Sequence, residues 1–304
     1  MFIMVVFVCG TSLSISAAVA PPFLWRIVTL AEPTGGALNL KPLRLFVADR
    51  VGPFFERILR ERMDLVLALH VIGSAVTEDF DPERSDINSL VVLRDMDLDF
   101  LDLLGSLCRE FDDARLGPPM LITPKYIERW RDVSPVELLD VKKINVLVFG
   151  TDLVSCVEVD RSLVRLQCKR ELRDRLIHLS WGYVRAAGNK QALTELLLES
   201  VVGLASLMRG ILYARGEEPP ITAGPLFDAL SSLVGGQALS FKEVYWMKLR
   251  ETKMPLSRVR ATLKDYYRAI EALIDVVDHL APAEPKAPDI ASPPAGDAPT
   301  GGRV

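Results

Sequence analysis

The fold is decided by the stretch Val71-Ile72-Gly73-Ser74 and, after a polar link, Arg84-Ser85-Asp86-Ile87-Asn88-Ser89-Leu90-Val91-Val92-Leu93. The apolar residues before Gly73 predict a buried strand, which Gly73-Ser74 ends because glycine tolerates unusual backbone angles and serine caps free N–H groups. Residues 86 to 93 predict a second strand. Because side chains alternate along a strand, Asp86 and Asn88 share one face and Ile87 points away. Two oxygen-bearing side chains beside a turn with exposed N–H donors predict a site for a metal and a phosphate.

This pattern resembles the signature of the polymerase-β-like nucleotidyltransferase superfamily. There, an apolar residue precedes Gly-Ser or Gly-Gly, and Asp, an apolar residue and a second carboxylate follow after a short gap. Gly73-Ser74 and Asp86-Ile87 fit in order and spacing, whereas Asn88 replaces the second carboxylate. The resemblance covers roughly residues 50 to 145. It implies an α+β fold in which a small mixed-sheet nucleotidyltransferase domain precedes an all-α helical bundle, similar to aminoglycoside and minimal nucleotidyltransferases.

The resemblance also implies a chemistry in which acidic side chains hold two Mg²⁺ ions, one at the acceptor hydroxyl and one at the triphosphate. Asp86 would be the catalytic, bridging metal ligand. Gly73, Ser74 and Ser85 would bind the nucleotide. Asn88 stands at a metal-ligand position but offers a neutral carbonyl, so Mg²⁺ binding is expected to be weakened.

The superfamily supplies a third carboxylate from a later strand, and residues 136 to 141 predict such a strand. Glu137 is the first candidate for the catalytic, acceptor-side metal ligand, and Asp140 is the second. They are an odd number of residues apart, so on a regular strand only one of them can reach the site.

A basic stripe follows in the first long helix, which begins near Asp160. Its members recur every four residues and so lie along one face: Arg161, Arg165, Lys169 and Arg173. Lys169 and Arg173 are therefore candidates for binding the triphosphate or an acidic acceptor. The alternative is a solvated face that pairs with Glu171 and Asp174.

Four segments are predicted along the chain. Residues 1–40 form a poorly ordered extension, 41–155 the nucleotidyltransferase-like domain, 156–281 the helical bundle, and 282–304 a disordered tail rich in Pro, Ala and Gly. Apolar periodicity predicts helices at 44–63, 95–113, 190–214, 224–234, 240–249 and 257–280 and further strands at 118–122 and 145–149. In the helix at 95–113, the buried side is expected to carry Leu98, Leu101, Leu104 and Leu107, and the Asp residues to face solvent.

The net charge and the cysteine content of the chain limit the kinds of partner and compartment that are expected for it. The net charge of −4 disfavours broad nucleic-acid binding. The four cysteines show no metal-ligand spacing and are typical of reduced thiols, which favours a cytoplasmic protein without membrane association. Residues 1–20 imitate a secretory signal, but no Lys or Arg precedes the apolar run and Pro21 follows the apparent cleavage site, which argues against one. Residues 1–30 are expected to be dispensable for folding, because they lack polar patterning to match the core.

The leading functional hypothesis is transfer of a nucleoside monophosphate from a nucleoside triphosphate to a hydroxyl of a small-molecule or protein acceptor, with Mg²⁺. The alternative is a catalytically impaired relative that acts as a nucleotide-binding or regulatory module, because Asn88 replaces a carboxylate. A third possibility, by fold analogy alone, is one half of a toxin–antitoxin-like pair.

Overall fold

The computed structural model describes residues 37–250 and 254–280, without the side chains of Gln237 and Arg250. It is an α+β protein in which a small mixed sheet precedes a row of long helices, so the predicted fold class is confirmed. The predicted tail and the extension up to residue 36 lie outside the described residues. Within residues 37–40, Leu38 and Leu40 pack against the core and the Asn39 N–H donates to the Val148 carbonyl at 2.8 Å.

The sheet has four strands in the order β3-β2-β1-β4. Strand β1 (Val66–Ile72) lies between β2 (Asn88–Leu93) and β4 (Asn145–Gly150) and is antiparallel to both, while β3 (Met120–Ile122) is parallel to β2. Every residue of β1 is buried, as expected of a central strand with both faces covered. The register pairs Ile72 with Asn88, which brings the end of β1 to the start of β2.

Helices cover both faces of this sheet. Helices α1 (Leu45–Arg62) and α2 (Leu98–Glu110) pack on one face, where residues such as Val91 and Leu93 join Phe54 and Phe100 in one core. On the other face, Leu90 and Val92 join a second core that continues through helix α3 (Pro124–Val133) into the bundle. The alternation along β2 therefore decides which core each side chain enters.

Helix α2 exposes two leucines that the sequence pattern predicts to be buried. Phe100, Leu104 and Leu107 are buried, but Leu98 is 75% exposed and Leu101 is 39% exposed. The prediction that all four leucines lie on the buried side was wrong for these two. Phe100 takes an inward position instead, and Leu98 is the first residue of the helix.

Residues 136–141 do not form a strand, because helix α4 runs from Pro135 to Lys143. Ser134 precedes that helix and Pro135 occupies its first turn, where the missing N–H costs nothing and the fixed φ favours a helix. Lys142 and Lys143 in the last turn complement the negative end of the helix dipole. The pair Ser134-Pro135 therefore starts a helix, and the strand predicted over residues 136 to 141 was wrong.

The bundle consists of α5 (Arg161–Ala186), α6 (Lys190–Ser200), α7 (Leu204–Ala214), α8 (Ala223–Val234), α9 (Leu239–Arg250) and α10 (Leu256–His279). The single helix predicted over 190–214 is thus two helices. Gly203 adopts a φ of +68° at the break, and the Arg175 guanidinium donates to the Ser200 and Val202 carbonyls that the break leaves free. An arginine 25 residues away in sequence stabilises this interruption, so periodicity alone did not reveal it.

No single described helix is long and apolar enough to cross a membrane. Helices α6 and α7 meet that length and composition test only as a pair, and they are bent by 42°.

Candidate functional site

The Gly73–Ser74 turn forms as the sequence predicts. Strand β1 ends at Ile72, and Gly73–Val76 make a single 3₁₀ turn that begins with Gly73 at a φ of +73°. The Gly73 N–H donates to the Ile144 carbonyl at 3.0 Å, which ties the turn to the end of α4. Thr77 closes the turn by donating its N–H and its hydroxyl to the Ser74 carbonyl. The Gly73 N–H is therefore occupied, whereas the next N–H groups at the start of such a turn have no partner inside it.

Asn88 begins β2 next to this turn, and Asp86 lies two residues before it in the chain. Ile87 between them is buried in the core beneath α1 and α2, whereas Asp86 and Asn88 are exposed. The pairing of Ile72 with Asn88 sets the Asn88 side chain against the turn, where a Cβ built on Gly73 would lie 3.9 Å from Asn88 Nδ2. Asn88 therefore lies beside the turn, and a role for Asp86 there stays a prediction from the sequence.

Gly117, which the sequence analysis did not single out, shapes the other side of Asn88. A Cβ on Gly117 would lie only 2.9 Å from Asn88 Oδ1, so a glycine is needed there for the carboxamide to keep its position. The Gly117 N–H donates to the Ile87 carbonyl at 3.0 Å. The signal available in the sequence is the Gly117-Pro118-Pro119 break before β3.

Neither candidate for the third carboxylate is directed to this turn. Glu137 lies in the first turn of α4 and accepts a hydrogen bond from Gln167 Nε2 at 2.7 Å. The residue that touches Gly73 is Ile144, at the other end of α4 and about 10 Å away at 1.5 Å per residue. Asp140 accepts from Ser206 Oγ at 2.8 Å and from Arg209 Nε at 2.5 Å. Both carboxylates therefore bind side chains of the bundle.

Strand β3, which pairs with β2 at the edge of the sheet, supplies no acidic residue in place of Glu137 or Asp140. Strand β3 consists of Met120, Leu121 and Ile122, and it pairs with β2 from Leu90 onward. Across residues 37–250 and 254–280, no three His, Cys, Asp or Glu side chains are grouped so that they could hold a metal ion. Of the predicted metal ligands, Asp86 just before β2 and the Asn88 carbonyl oxygen would remain for a metal at the turn.

Lys169 and Arg173 form ion pairs with Asp278 of α10, at 2.9 and 2.6 Å. The hydrogen bond from Lys169, together with Arg173, holds the pKa of the Asp278 carboxyl below its ordinary value. These contacts join α5 to α10 in the bundle. A role for the two cations in triphosphate binding stays a prediction from the sequence.

Ser85 and its neighbours hold the loop between the turn and β2. The Ser85 hydroxyl accepts the Asp81 N–H at 3.2 Å, and the Ser85 N–H donates to the Asp81 carbonyl at 2.8 Å. This keeps the loop short and directs the chain back towards Asp86.

Two charged residues of the same loop bind the helical bundle. The Asp79 carboxylate accepts the Ala223 N–H at the start of α8 at 2.7 Å, and Arg84 donates to the Leu249 carbonyl near the end of α9 at 2.6 Å. An anion at a helix N-terminus and a cation at a C-terminus each complement the helix dipole. Sequence reasoning missed these contacts because they join residues 144 and 165 positions apart.

Basic groups also flank Asp86. Arg84 precedes it in the chain, and Arg115 donates to the Arg84 carbonyl at 3.1 Å while its own carbonyl accepts the Ile87 N–H. Arg115 has a φ of +53°, an uncommon conformation for a residue with a side chain. Both arginines are exposed, so the start of β2 carries positive charge on the side of the loop.

His70 is fully buried in β1, and its Nδ1 lies 3.0 Å from Asn145 Oδ1. Asn145 Nδ2 donates to the Val141 and Lys142 carbonyls, which fixes the amide orientation and makes His70 Nδ1 the donor. Burial lowers the pKa of His70 and keeps the ring neutral. These contacts join β1 to β4 and α4, as expected of a structural histidine.

A separate acidic pair lies where α4 meets α5. Gln167 Nε2 donates both to Glu137 Oε2 and, at 2.5 Å, to Glu171 Oε1, so one amide links two carboxylates. Burial, with the nearby Glu137 charge, raises the pKa of Glu171. A carboxyl whose pKa is higher in the folded than in the unfolded state binds its proton more tightly when folded. Stability should therefore rise as the pH falls through the folded-state pKa of Glu171.

We expect Glu171→Gln to raise the thermal midpoint at pH 7 by a few degrees, because it removes a desolvated charge and keeps an oxygen to accept from Gln167. For a protein of this size, ~1 kcal/mol corresponds to roughly 2–4 °C. The gain should shrink as the pH falls towards the unfolded-state value. Glu195→Gln is the matched control, since exposed Glu195 accepts from Gln191 with the same spacing of four. A lower midpoint for Glu171→Gln at pH 7 contradicts this expectation.

The sequence matches no known protein family and no curated protein. Among solved structures, it is similar to a spectinomycin adenyltransferase from Enterococcus faecialis that was crystallised with ATP and spectinomycin. The TM-score is 0.50 and the identity is 12%, over 76% of this chain and 98% of the other. The two chains thus share a fold, and at this identity the likeness concerns the fold alone.

Proposed function

We propose that the protein binds a nucleoside triphosphate at the Gly73–Ser74 turn, together with one Mg²⁺ ion that the triphosphate shares with Asp86. The observation that carries this proposal is the position of Asn88. It lies against the turn, at the place of the second carboxylate of the nucleotidyltransferase pattern, and the exposed carboxylate of Asp86 lies two residues earlier in the chain.

The donor groups fit one ion rather than two. Mg²⁺ commonly binds through one or two carboxylates plus substrate phosphates and retains water ligands, and Asp86 with a triphosphate meets that requirement. A two-metal site needs more negative charge than one carboxylate and one amide supply. Coulomb attraction between unit charges ~4 Å apart is about 4 kcal/mol at an effective dielectric constant near 20, before desolvation. The missing charge of Asn88 is therefore a substantial loss for a second ion.

The rest of the neighbourhood supports binding of an anion. The turn offers N–H groups, and exposed Arg84 and Arg115 bring positive charge to the same end of β2. The loop that carries Arg84 is held to α8 and α9, so a nucleotide at the turn would lie beside the helical bundle. Such a protein would work in the cytoplasm, where its nucleotide is found, as the composition also predicts.

A second candidate is transfer of the nucleoside monophosphate to a hydroxyl of a small molecule or protein. The fold likeness to an enzyme crystallised with ATP and an acceptor favours it. Asp86 would then orient the single metal–nucleotide complex. The two candidates for the third carboxylate, Glu137 and Asp140, bond to side chains of the bundle instead, which favours binding without transfer.

Calorimetric titration of the full chain with ATP, GTP, CTP and UTP, with and without Mg²⁺, tests the proposal. We expect binding of at least one nucleotide that requires Mg²⁺. A parallel incubation with labelled nucleotides, Mg²⁺ or Mn²⁺ and cell extract should show no transfer of label. Absence of binding to all four nucleotides overturns the proposal, and transfer of label that needs Asp86 establishes the second candidate instead.

A further inference from the structure

Two surfaces of opposite charge are exposed on this chain, both away from the turn. The acidic face consists of Leu98, Asp99, Leu101 and Asp102 on α2, together with Met96 just before that helix. The basic groove lies between α5 and α10 and is lined by Leu179, Tyr183, Arg260, Lys264, Tyr267 and Arg268.

The acidic face combines apolar and charged side chains on consecutive turns. Met96, Leu98 and Leu101 are among the exposed large hydrophobic residues, and Leu98 and Leu101 lie three positions apart on one side of the helix. Asp99 and Asp102 are exposed and form no ion pair with any described residue. A helix of this kind presents an apolar stripe edged by negative charge.

The basic groove has the complementary composition. Its volume is about 760 Å³, and Leu179 and Tyr183 of α5 face Tyr267 of α10 across it. Arg260, Lys264 and Arg268 recur every four residues along one wall, and none of them has an ion-pair partner in the part of the chain that the structure describes. Glu271 is the one acidic residue of the lining.

We propose that the acidic face of one copy of this chain docks into the basic groove of a second copy. Amphipathic helices bind apolar grooves through residues spaced three or four positions apart, and Leu98 and Leu101 have that spacing. They would enter between Tyr183 and Tyr267. Asp99 and Asp102 rise ~4.5 Å along their helix and Lys264 and Arg268 rise ~6 Å along theirs, so the two acids can meet the two cations.

The second copy is the occupant because the charges on the two surfaces are opposite and both belong to the same chain. The surfaces differ, so the contact is head-to-tail and each copy can both donate its acidic face and accept another. The whole chain carries a net charge of −4, so copies repel one another overall and association depends on this local complementarity. Added salt should therefore weaken it.

Light scattering coupled to gel filtration, over a range of concentrations at low salt, measures this association in the full chain. We expect wild-type protein to exceed the monomer mass of 33.7 kDa as its concentration rises. Lys264→Glu with Arg268→Glu, and separately Asp99→Lys with Asp102→Lys, should each weaken association more than about tenfold, because like charges then face each other. Lys125→Glu with Arg129→Glu, an exposed pair of the same spacing on α3, is the matched control and should associate like wild type.

Mixing the two charge-reversed proteins gives the decisive result. In the mixture, Asp99 and Asp102 of the protein with Lys264→Glu and Arg268→Glu can contact the intact basic groove of the protein with Asp99→Lys and Asp102→Lys. The substituted, now basic face of the second protein can in turn contact the substituted, now acidic groove of the first. Association should therefore return in the mixture at concentrations where each variant alone is monomeric.

An apolar variant completes the test. Leu98→Ser with Leu101→Ser should also abolish association, whereas Leu166→Ser, which is 64% exposed on α5, should not. Wild-type protein that stays monomeric at about 100 μM, a concentration far above common protein–protein dissociation constants, overturns the proposal. So does a mixture of the two charge-reversed variants that stays monomeric, which would assign the two surfaces to other partners or to segments of the same chain.

Discussion

Asp86→Ala is expected to abolish Mg²⁺-dependent binding of nucleoside triphosphate, and Asn88→Asp to strengthen it. Asp86 is the carboxylate that the proposal assigns to the metal, so its removal leaves only the neutral Asn88 amide of the proposed ligands. Asn88→Asp restores a unit charge close to the metal. After desolvation is set against ~4 kcal/mol of Coulomb attraction, a gain on the order of tenfold in affinity is expected, which is about 1.4 kcal/mol.

The sign of the Asn88→Asp effect should depend on the metal. Without Mg²⁺, a second carboxylate faces the triphosphate directly and weakens binding by charge repulsion. With Mg²⁺ the same carboxylate is a ligand. Calorimetric titration of the variant in both conditions should therefore show a larger Mg²⁺ dependence than wild type.

Matched substitutions separate this effect from general changes in charge. Asp113→Ala removes an exposed carboxylate from the 3₁₀ turn after α2, and Asn189→Asp adds one at the cap of α6, where Asp caps as well as Asn. Both should leave nucleotide binding unchanged. If Asn88→Asp weakens binding in Mg²⁺, or Asp86→Ala has no effect, then the metal has been assigned to the wrong residues.

The sequence was sufficient for those parts of the site that are local along the chain. The turn at Gly73 needs a residue free to adopt a positive φ, and the alternation of Asp86, Ile87 and Asn88 follows from the pleat of one strand. Both were predicted from neighbouring residues. The departure at Asn88 was equally visible, because the pattern specifies the residue type at that position.

The sequence predicts a strand for the segment that carries Glu137 and Asp140, but this segment is a helix. The run from Val136 to Val141 is apolar enough for a strand or a buried helix, and Pro135 at the first helical position decides between them. Once that segment is helical, its acids face α5 and α7 of the bundle. Their partners, Gln167 and Arg209, lie 30 and 69 residues later in the chain, so a pattern of local residue spacing does not predict these contacts.

The exposed leucines of α2 show a related limit. Apolar periodicity identifies the side of a helix that prefers burial, but how much of it the core covers depends on how far the helix extends past the sheet. Leu104 and Leu107 are covered, while Leu98 and Leu101 are not.

Asp140→Ala is expected to be strongly destabilising and to leave nucleotide binding intact in the folded protein. The Arg209 side chain is only 8% exposed and the Asp140 side chain 20% exposed, so the substitution leaves a guanidinium in the interior with just the Ile221 carbonyl at 3.2 Å and no carboxylate. Removing one partner of a buried ion pair costs about 3–5 kcal/mol. At roughly 2–4 °C per kcal/mol, the thermal midpoint should fall by about 6–20 °C.

Two further proteins make this result specific to the buried pair. Asp140→Leu combined with Arg209→Met should recover most of the loss, because an apolar pair of similar volume needs no desolvation of charge. Glu218→Ala removes the partner of Lys143 where the Glu218 side chain is 82% exposed, and it should change stability by less than about 1 kcal/mol. Thermal melting followed by circular dichroism measures all of them. Should Asp140→Ala instead keep the wild-type midpoint and lose Mg²⁺-dependent nucleotide binding, Asp140 would be the third carboxylate of the site, and its pairing with Arg209 would have to open when nucleotide binds.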